Sequence, residues 1–190
     1  KPSPYEQRYK ICGSGAAETT HCSPDAQTKA EEVGRLIAER GMILVTGATT
    51  GLPYWAAKGT KEAGGMVIGF SPAASRLAHI NVYHLPVDYH DLIVYTGFDY
   101  SGRNLILTRA ADGVVTLCGR MGTLNEFTIA FEDKKPQGIL TGSGGTTEMI
   151  EEIVMRARRG HGRVVFDSDP ERLLDKLIAL IKAEQDKSRP

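Results

Sequence analysis

The residues best suited to chemistry lie in one stretch, GFDYSGRNLILTRAADGVVTLCGRMGTLNEFTIAFE, residues 97–132. It places Arg103 at the start of a predicted helix and Glu126 in the first turn of another, with an apolar strand, residues 113–117, between them. That strand carries both side chains toward one edge of a sheet. An arginine there can clamp a phosphate or orient a carboxylate. A carboxylate there can act as a base, or stabilise positive charge developing on a sugar ring. A structural role competes for Glu126: Thr123-Leu124-Asn125-Glu126 fits a capping box, in which the carboxylate bonds the backbone N–H of Thr123. A carboxylate near a helix amino end also stays ionised, which suits an anionic role rather than that of a general acid. Arg103 taken alone is equally compatible with a surface ion pair.

Three short glycine-containing loops accompany this pair. Gly13-Ser14-Gly15 follows the first predicted strand, Gly47-Ala48-Thr49-Thr50-Gly51 the second, and Cys118-Gly119-Arg120-Met121-Gly122-Thr123 the strand between Arg103 and Glu126. Glycine lets backbone amides approach an anion with no Cβ in the way, and helix amino ends add free N–H donors. Thr49, Thr50 and Thr123 add hydroxyls. Any one loop is explained as well by the needs of a tight turn; together they describe a phosphate cradle. GSGAAE lacks the third glycine of a dinucleotide fingerprint, and no loop carries the Gly-Lys-Ser/Thr of a Walker A motif, so NAD binding and ATP hydrolysis are discounted.

The elements that must position these loops alternate between strand-like and helix-like. Strands are predicted at residues 9–12, 42–46, 66–70, 92–96, 113–117, 137–141 and 163–167. Helices are predicted at 24–40, 52–63, 100–111, 123–133, 146–159 and 170–184, and residues 71–91 read as irregular. Ser23 is the expected cap of the first helix and Asp169 of the last. Apolar runs without alternation, such as MILVT at 42–46, are those of strands buried on both faces. The pattern implies an α/β fold with a mostly parallel sheet of about seven strands and helices on both faces, a three-layer α/β/α sandwich. One domain, residues 1–184, is expected, with a disordered tail at 185–190.

The chain has 190 residues, 41% of them hydrophobic, and a formal net charge of +0. Neutrality argues against nucleic-acid binding and against electrostatic attachment to a membrane. No run approaches the ~20 apolar residues of a membrane span, and the polar residues 1–10 do not read as an export signal. Cys12, Cys22 and Cys118 are three, so they cannot all pair, and they read as reduced thiols of a cytoplasmic protein. A metal site of Cys12, His21, Cys22 and Cys118 is conceivable, but the CxxC spacing of structural zinc is absent and no metal is expected. Tyr83, Tyr89, Tyr95 and Tyr100 can stack on a base, though packing is their commoner use.

GATTGLPYWAAKGTKEAGGMVIGFSP resembles the GGGxxGLMxAxxxGAxxAGGxVIGxxP stretch of the LOG (Lonely Guy) family, and GRMGTLNE resembles that family's PGGxGTxxE signature. The resemblance runs from the first strand to Gln137. Thr96-Gly97 with Arg103-Asn104 is closer to the neighbouring molybdenum-cofactor carrier-like branch. The resemblance implies a Rossmann-like domain in a homodimer or higher homo-oligomer. It implies hydrolysis of the N-glycosidic bond of nucleoside 5′-monophosphates to free base and ribose 5-phosphate, with no cofactor required. Arg103 and Glu126 match the family's essential pair, and Gly119, Gly122 and Thr123 its phosphate contacts. Asp112 matches an aspartate nine positions after the arginine. A pyridoxal phosphate site is not indicated. The chain departs from the signature at Cys118, where a proline is usual, and at Arg120, where a glycine is usual. Arg120 either binds an extra phosphate or obstructs the pocket. Pro53-Tyr54-Trp55 replaces the usual Met-Gly pair. These departures keep open a second expectation, a non-catalytic carrier of a phosphorylated cofactor such as the molybdenum cofactor.

Overall fold

The computed structural model describes residues 7–188. Residues 1–6 of the polar amino-terminal stretch and residues 189–190 of the expected tail lie outside the described residues. All seven strands are parallel: β1 (Lys10–Ser14), β2 (Ile43–Thr46), β3 (Met66–Ser71), β4 (Leu92–Tyr95), β5 (Gly113–Thr116), β6 (Gln137–Leu140) and β7 (Val164–Asp167). Their order in the sheet is β4-β3-β2-β1-β5-β6-β7. The chain starts in the middle, winds outward through β4, then returns to β1 and winds outward the other way. The reversal lies between β1 and β5, where Cys12 sits beside Val114 and Ser14 beside Thr116.

The helices are α1 (Ala26–Glu39), α2 (Leu52–Glu62), α3 (Arg76–Asn81), α4 (Asp99–Ala110), α5 (Met121–Glu132), α6 (Ile150–Ala157) and α7 (Pro170–Ser188), with a 3₁₀ turn, Thr146–Met149, before α6. The strict alternation of side chains along each strand divides the core. Leu44, Val115 and Leu140 face α1, α2 and α7, packing with Ile37, Leu52, Leu173 and Leu177. Val45 and Val114 face the other way, onto Leu107 of α4 and Ala130 of α5. Ile139 meets Phe127 of α5 and Ile150 and Val154 of α6. This is the three-layer Rossmann-like sandwich expected from the sequence.

Several local expectations change. Residues 71–91 contain α3, whose cap Ser75 accepts a hydrogen bond from the Ala78 amide at 3.1 Å. Ser23 does not cap α1: the helix starts at Ala26, and the Ser23 hydroxyl bonds the Asp25 carboxylate instead. Asp169 does cap α7, accepting from the Arg172 amide at 2.9 Å. The backbone of α7 continues to Ser188, through four residues expected to belong to the tail. No helix among the described residues is long and apolar enough to cross a membrane.

Candidate functional site

The cleft opens beyond the carboxyl ends of β1 and β5, at the point where the strand order reverses. Diverging crossovers leave a crevice at such a point, and open α/β sheets bind their ligands there. Its volume is about 230 Å³. That is below the roughly 300–1,000 Å³ of an enclosed site for a drug-sized molecule, so a ligand the size of a mononucleotide would lie partly in solvent.

Eleven of the residues selected from the sequence line this one cleft: Gly13, Ser14, Gly15, Gly47, Thr49, Arg103, Asn104, Arg120, Gly122, Thr123 and Glu126. Gly13 and Ser14 do so as the last residues of β1, not as a loop. Three selected residues do not line it. Thr50 turns its hydroxyl to the Ala17 carbonyl at 3.1 Å. Gly51 holds φ +75° ahead of α2, where a Cβ would collide with the Ala16 carbonyl, so it shapes the turn. Gly119 is packed under Thr123 and accepts from the Thr146 amide at 2.9 Å. Tyr100, alone of the four tyrosines noted as able to stack on a base, also lines the cleft, as do Pro53 and the unanticipated Ala16, Ala17 and Glu18. They follow β1 or open α2 and α4, so position after a strand was the available signal.

Glu126 does not close a capping box. Arg120, in extended conformation, precedes the helix and α5 starts at Met121, so Glu126 falls in the second turn. There its side chain turns inward, and the Ser14 hydroxyl donates to its Oε2. The residue is 8% exposed. Burial pushes it above the usual carboxylate range, opposed by the nearby Arg103 charge and by the Ser14 hydrogen bond. Burial thus works against the ionised form expected from the sequence, while Arg103 and Ser14 work for it.

Arg103 is not a surface residue. Its Nη1 donates to the carbonyls of Gly47 and, at 3.1 Å, Phe70, and its Nε to Asn104 Oδ1 at 3.1 Å. A Cβ at Gly47 would overlap the guanidinium, so any other residue there has to displace the Arg103 side chain. Burial lowers the arginine's basicity while Glu126 opposes that shift. Asn104 passes the network on, its Nδ2 donating to Asn125 Oδ1 at 3.0 Å. The ring of Tyr100 lies 5.6 Å from the guanidinium carbon, a cation–π arrangement.

Arg120 neither fills nor blocks the cleft. Its side chain is exposed at the mouth, 3.6 Å from the Glu18 carboxylate. Next to it the first amides of α5 have no partner within the helix, and Gly122 and Thr123 present them to the cleft. The arrangement can take an anion at the α5 amino end and a hydrogen-bonding ring system toward Asn104 and Glu126. Asp112 belongs to the opposite end of the sheet. It precedes β5 and accepts from the Lys10 amide at 2.7 Å and Nζ at 2.9 Å.

The thiol expectation is corrected as well. Cys22 and Cys118 form a disulfide, with Cα atoms 5.7 Å apart, and only Cys12 is free among the described residues. Cys12 packs on the α4 face of the sheet, with Leu107 and Ala111. A disulfide suits an oxidising compartment, so the argument from reduced thiols to the cytoplasm loses its basis.

A family model described as the SLOG cluster4 family matches residues 8–174. The chain belongs to the SLOG cluster4 family. This bears out the kinship to LOG-like proteins read from the motifs. An uncharacterized protein of Archaeoglobus fulgidus is 29% identical over 126 residues, 66% of this chain and 78% of that one. Among solved structures, TM1055 superposes with a TM-score of 0.78 at 26% identity, covering 90% of this SLOG chain and 99% of its own. The molybdenum cofactor carrier protein of Chlamydomonas reinhardtii superposes with a TM-score of 0.75 at 27% identity over 92% and 99% of the two chains. The molybdenum cofactor binding protein of the phototrophic bacterium Rippkaea orientalis gives 0.72 and 27% over 93% and 97%. Two of these structural neighbours are thus molybdenum-cofactor proteins, in keeping with the carrier-like branch noted at Thr96-Gly97 and Arg103-Asn104.

Proposed function

We propose that this SLOG protein binds and carries a phosphorylated cofactor of the molybdenum-cofactor type in the cleft between β1 and β5. The observation that carries the reading is the gathering of Gly15, Gly47 and the Gly122-Thr123 helix start around one crevice that also holds Asn104 and Glu126. The likeness to two molybdenum-cofactor proteins over nearly the whole chain supports it. The donor set fits such a group. A phosphate finds the free amides of α5, the Thr123 hydroxyl and the Arg120 cation. The amino-pyrimidine edge of a pterin finds a buried amide and a buried carboxyl, which offer both donors and acceptors.

One observation favours a second reading, N-glycosidic hydrolysis of a nucleoside 5′-monophosphate: Arg103 and Glu126 share the cleft. Yet Nη1 of Arg103 is committed to two backbone carbonyls, and Oε2 of Glu126 accepts from the Ser14 hydroxyl. Both side chains are engaged by the cleft wall itself, so the geometry serves holding better than cleaving. The partners follow: a small phosphorylated ligand and a second copy of this chain. Exposed Leu92 and Val94 on edge strand β4, with Leu77 and Val82 near it, supply an apolar face for that copy.

The test is anaerobic incubation with molybdopterin and, separately, with a panel of nucleoside monophosphates, followed by native mass spectrometry and chromatography for free base. The expected result is one molybdopterin retained per chain and no base released. Base release that disappears in Glu126→Ala would transfer the assignment to the hydrolase, and retention of neither ligand class would overturn both readings.

A further inference from the structure

Between Gly15 and the start of α1 the chain makes a long excursion, and its far end places His21 and Cys22 against Cys118 at the head of the β5–α5 loop. One donor atom from each of the three lies within 4.8 Å of the other two. Cys118 lies 96 residues beyond Cys22, which is why no CxxC spacing announces the group. The backbone that carries them is held by bonds of its own. The Ser23 amide donates to the Ser143 carbonyl at 2.9 Å, Cys22 bridges Gly144, and the Ala16 amide donates to the Cys118 carbonyl at 2.7 Å. Breaking the bond between the two sulfurs therefore leaves two thiols still facing one another.

The geometry points to a second site: with Cys22 and Cys118 reduced, the two thiolates and the His21 imidazole bind one soft or borderline d¹⁰ cation, of which Zn²⁺ is the representative. Two sulfurs and one imidazole suit zinc or cuprous ion and not the hard cations, which need oxygen ligands. Cys118 is buried, Cys22 half-buried and His21 exposed. The sulfurs are sheltered and the imidazole is at the surface, so water can supply a fourth ligand, as in zinc sites that keep one exchangeable position. Nε2 of the His21 ring lies 3.4 Å from the Gly119 carbonyl, an orienting partner that leaves Nδ1 for the metal. A ligating histidine is commonly fixed by such a contact from its other nitrogen.

The disulfide and the metal exclude one another, because a sulfur in a disulfide is not a thiolate. Opening the site takes a dithiol reductant. Its two thiols give up two electrons and two protons and close to a disulfide, while the Cys22–Cys118 bond breaks to two thiols. Binding a divalent cation then releases those two thiol protons. The site stands apart from the proposed ligand, although Glu18, which touches His21, also pairs with Arg120 at the cleft mouth.

The experiment compares oxidised protein with protein reduced by dithiothreitol and desalted anaerobically, each titrated with Co²⁺ and then Zn²⁺. Reduced protein is expected to take up one Co²⁺ with a sulfur-to-cobalt charge-transfer band, which Zn²⁺ abolishes; oxidised protein takes up none. Cys22→Ser and Cys118→Ser should each lose the band. His21→Ala should weaken binding by at least the roughly 10–100-fold that removal of an outer partner costs. Cys12→Ala should bind as the parent does. The comparison of the two redox states needs no variant, so a variant that fails to fold does not decide the matter. The same band in oxidised protein, no uptake by reduced protein, or loss of native far-ultraviolet dichroism on reduction would each overturn the proposal.

Discussion

The Ser14 hydroxyl at the end of β1 donates to the Glu126 carboxyl on α5, joining the two elements that flank the reversal of strand order. That bond keeps an ionisable group inside the cleft wall without an ion pair of short range, and its consequences can be measured.

The first concerns pH. The folded-state pKa of Glu126 is raised above the ordinary 4.5. The folded protein therefore binds more protons than the unfolded chain above pH 4.5, and its stability falls as pH rises through the folded value. Glu126→Gln removes that slope while keeping the shape. Thermal unfolding from pH 4 to 8 should show the variant gaining on the parent as pH rises, with the difference smallest at the acid end. A parent that gains on the variant over this range contradicts the assignment.

Arg103 donates to the carbonyls of Gly47, just past β2, and of Phe70, inside β3, beside the cleft. Arg103→Met should cost about 2–5 kcal/mol, since each stranded buried acceptor costs roughly 1–3 kcal/mol. Urea unfolding reads this directly. A loss below about 1 kcal/mol would mean that the arginine is held by the cleft and not the reverse.

Gly47 and Gly51 separate packing from backbone strain. In Gly47→Ala the new methyl meets the Arg103 guanidinium, so ligand affinity should fall more than tenfold while the loop backbone is unstrained. In Gly51→Ala the residue must keep φ +75° against the Ala16 carbonyl, costing at least about 1–2 kcal/mol. Equal stability losses in the two variants would show that the distinction is wrong.

The Cys22–Cys118 bond spans 96 residues of sequence. Closing a loop of that size restricts the unfolded chain, and its removal should lower the stability of oxidised protein by about 2–4 kcal/mol. Cys22→Ser compared with the parent in urea, without reductant, measures the difference; identical midpoints would indicate that the bond does not form in solution.

The alternation of apolar runs and amphipathic segments was enough to place the strands within one or two residues, because buried parallel strands such as ILVT at β2 leave an unmistakable pattern. The loops after β2 and β5 were legible for the same reason. What the sequence hid was decided by long-range packing. Six-residue α3 lies between Pro72 and Pro86 and is too short for a period to show. Thr123 and Glu126 have the spacing of a capping box, yet Arg120 in extended conformation starts α5 two residues earlier and turns Glu126 inward. The pairing of Cys22 with Cys118 depends on the path of loop 15–25, which no local propensity specifies.

Whether an anion is held at the start of α5 is measured most directly by a structure with molybdopterin or a nucleoside monophosphate bound. The predicted result places the phosphate within hydrogen-bonding distance of the Gly122 and Thr123 amides, with the ring system toward Asn104 and Glu126. A ligand bound outside this cleft, or one whose phosphate lies away from the α5 amino end, would contradict it.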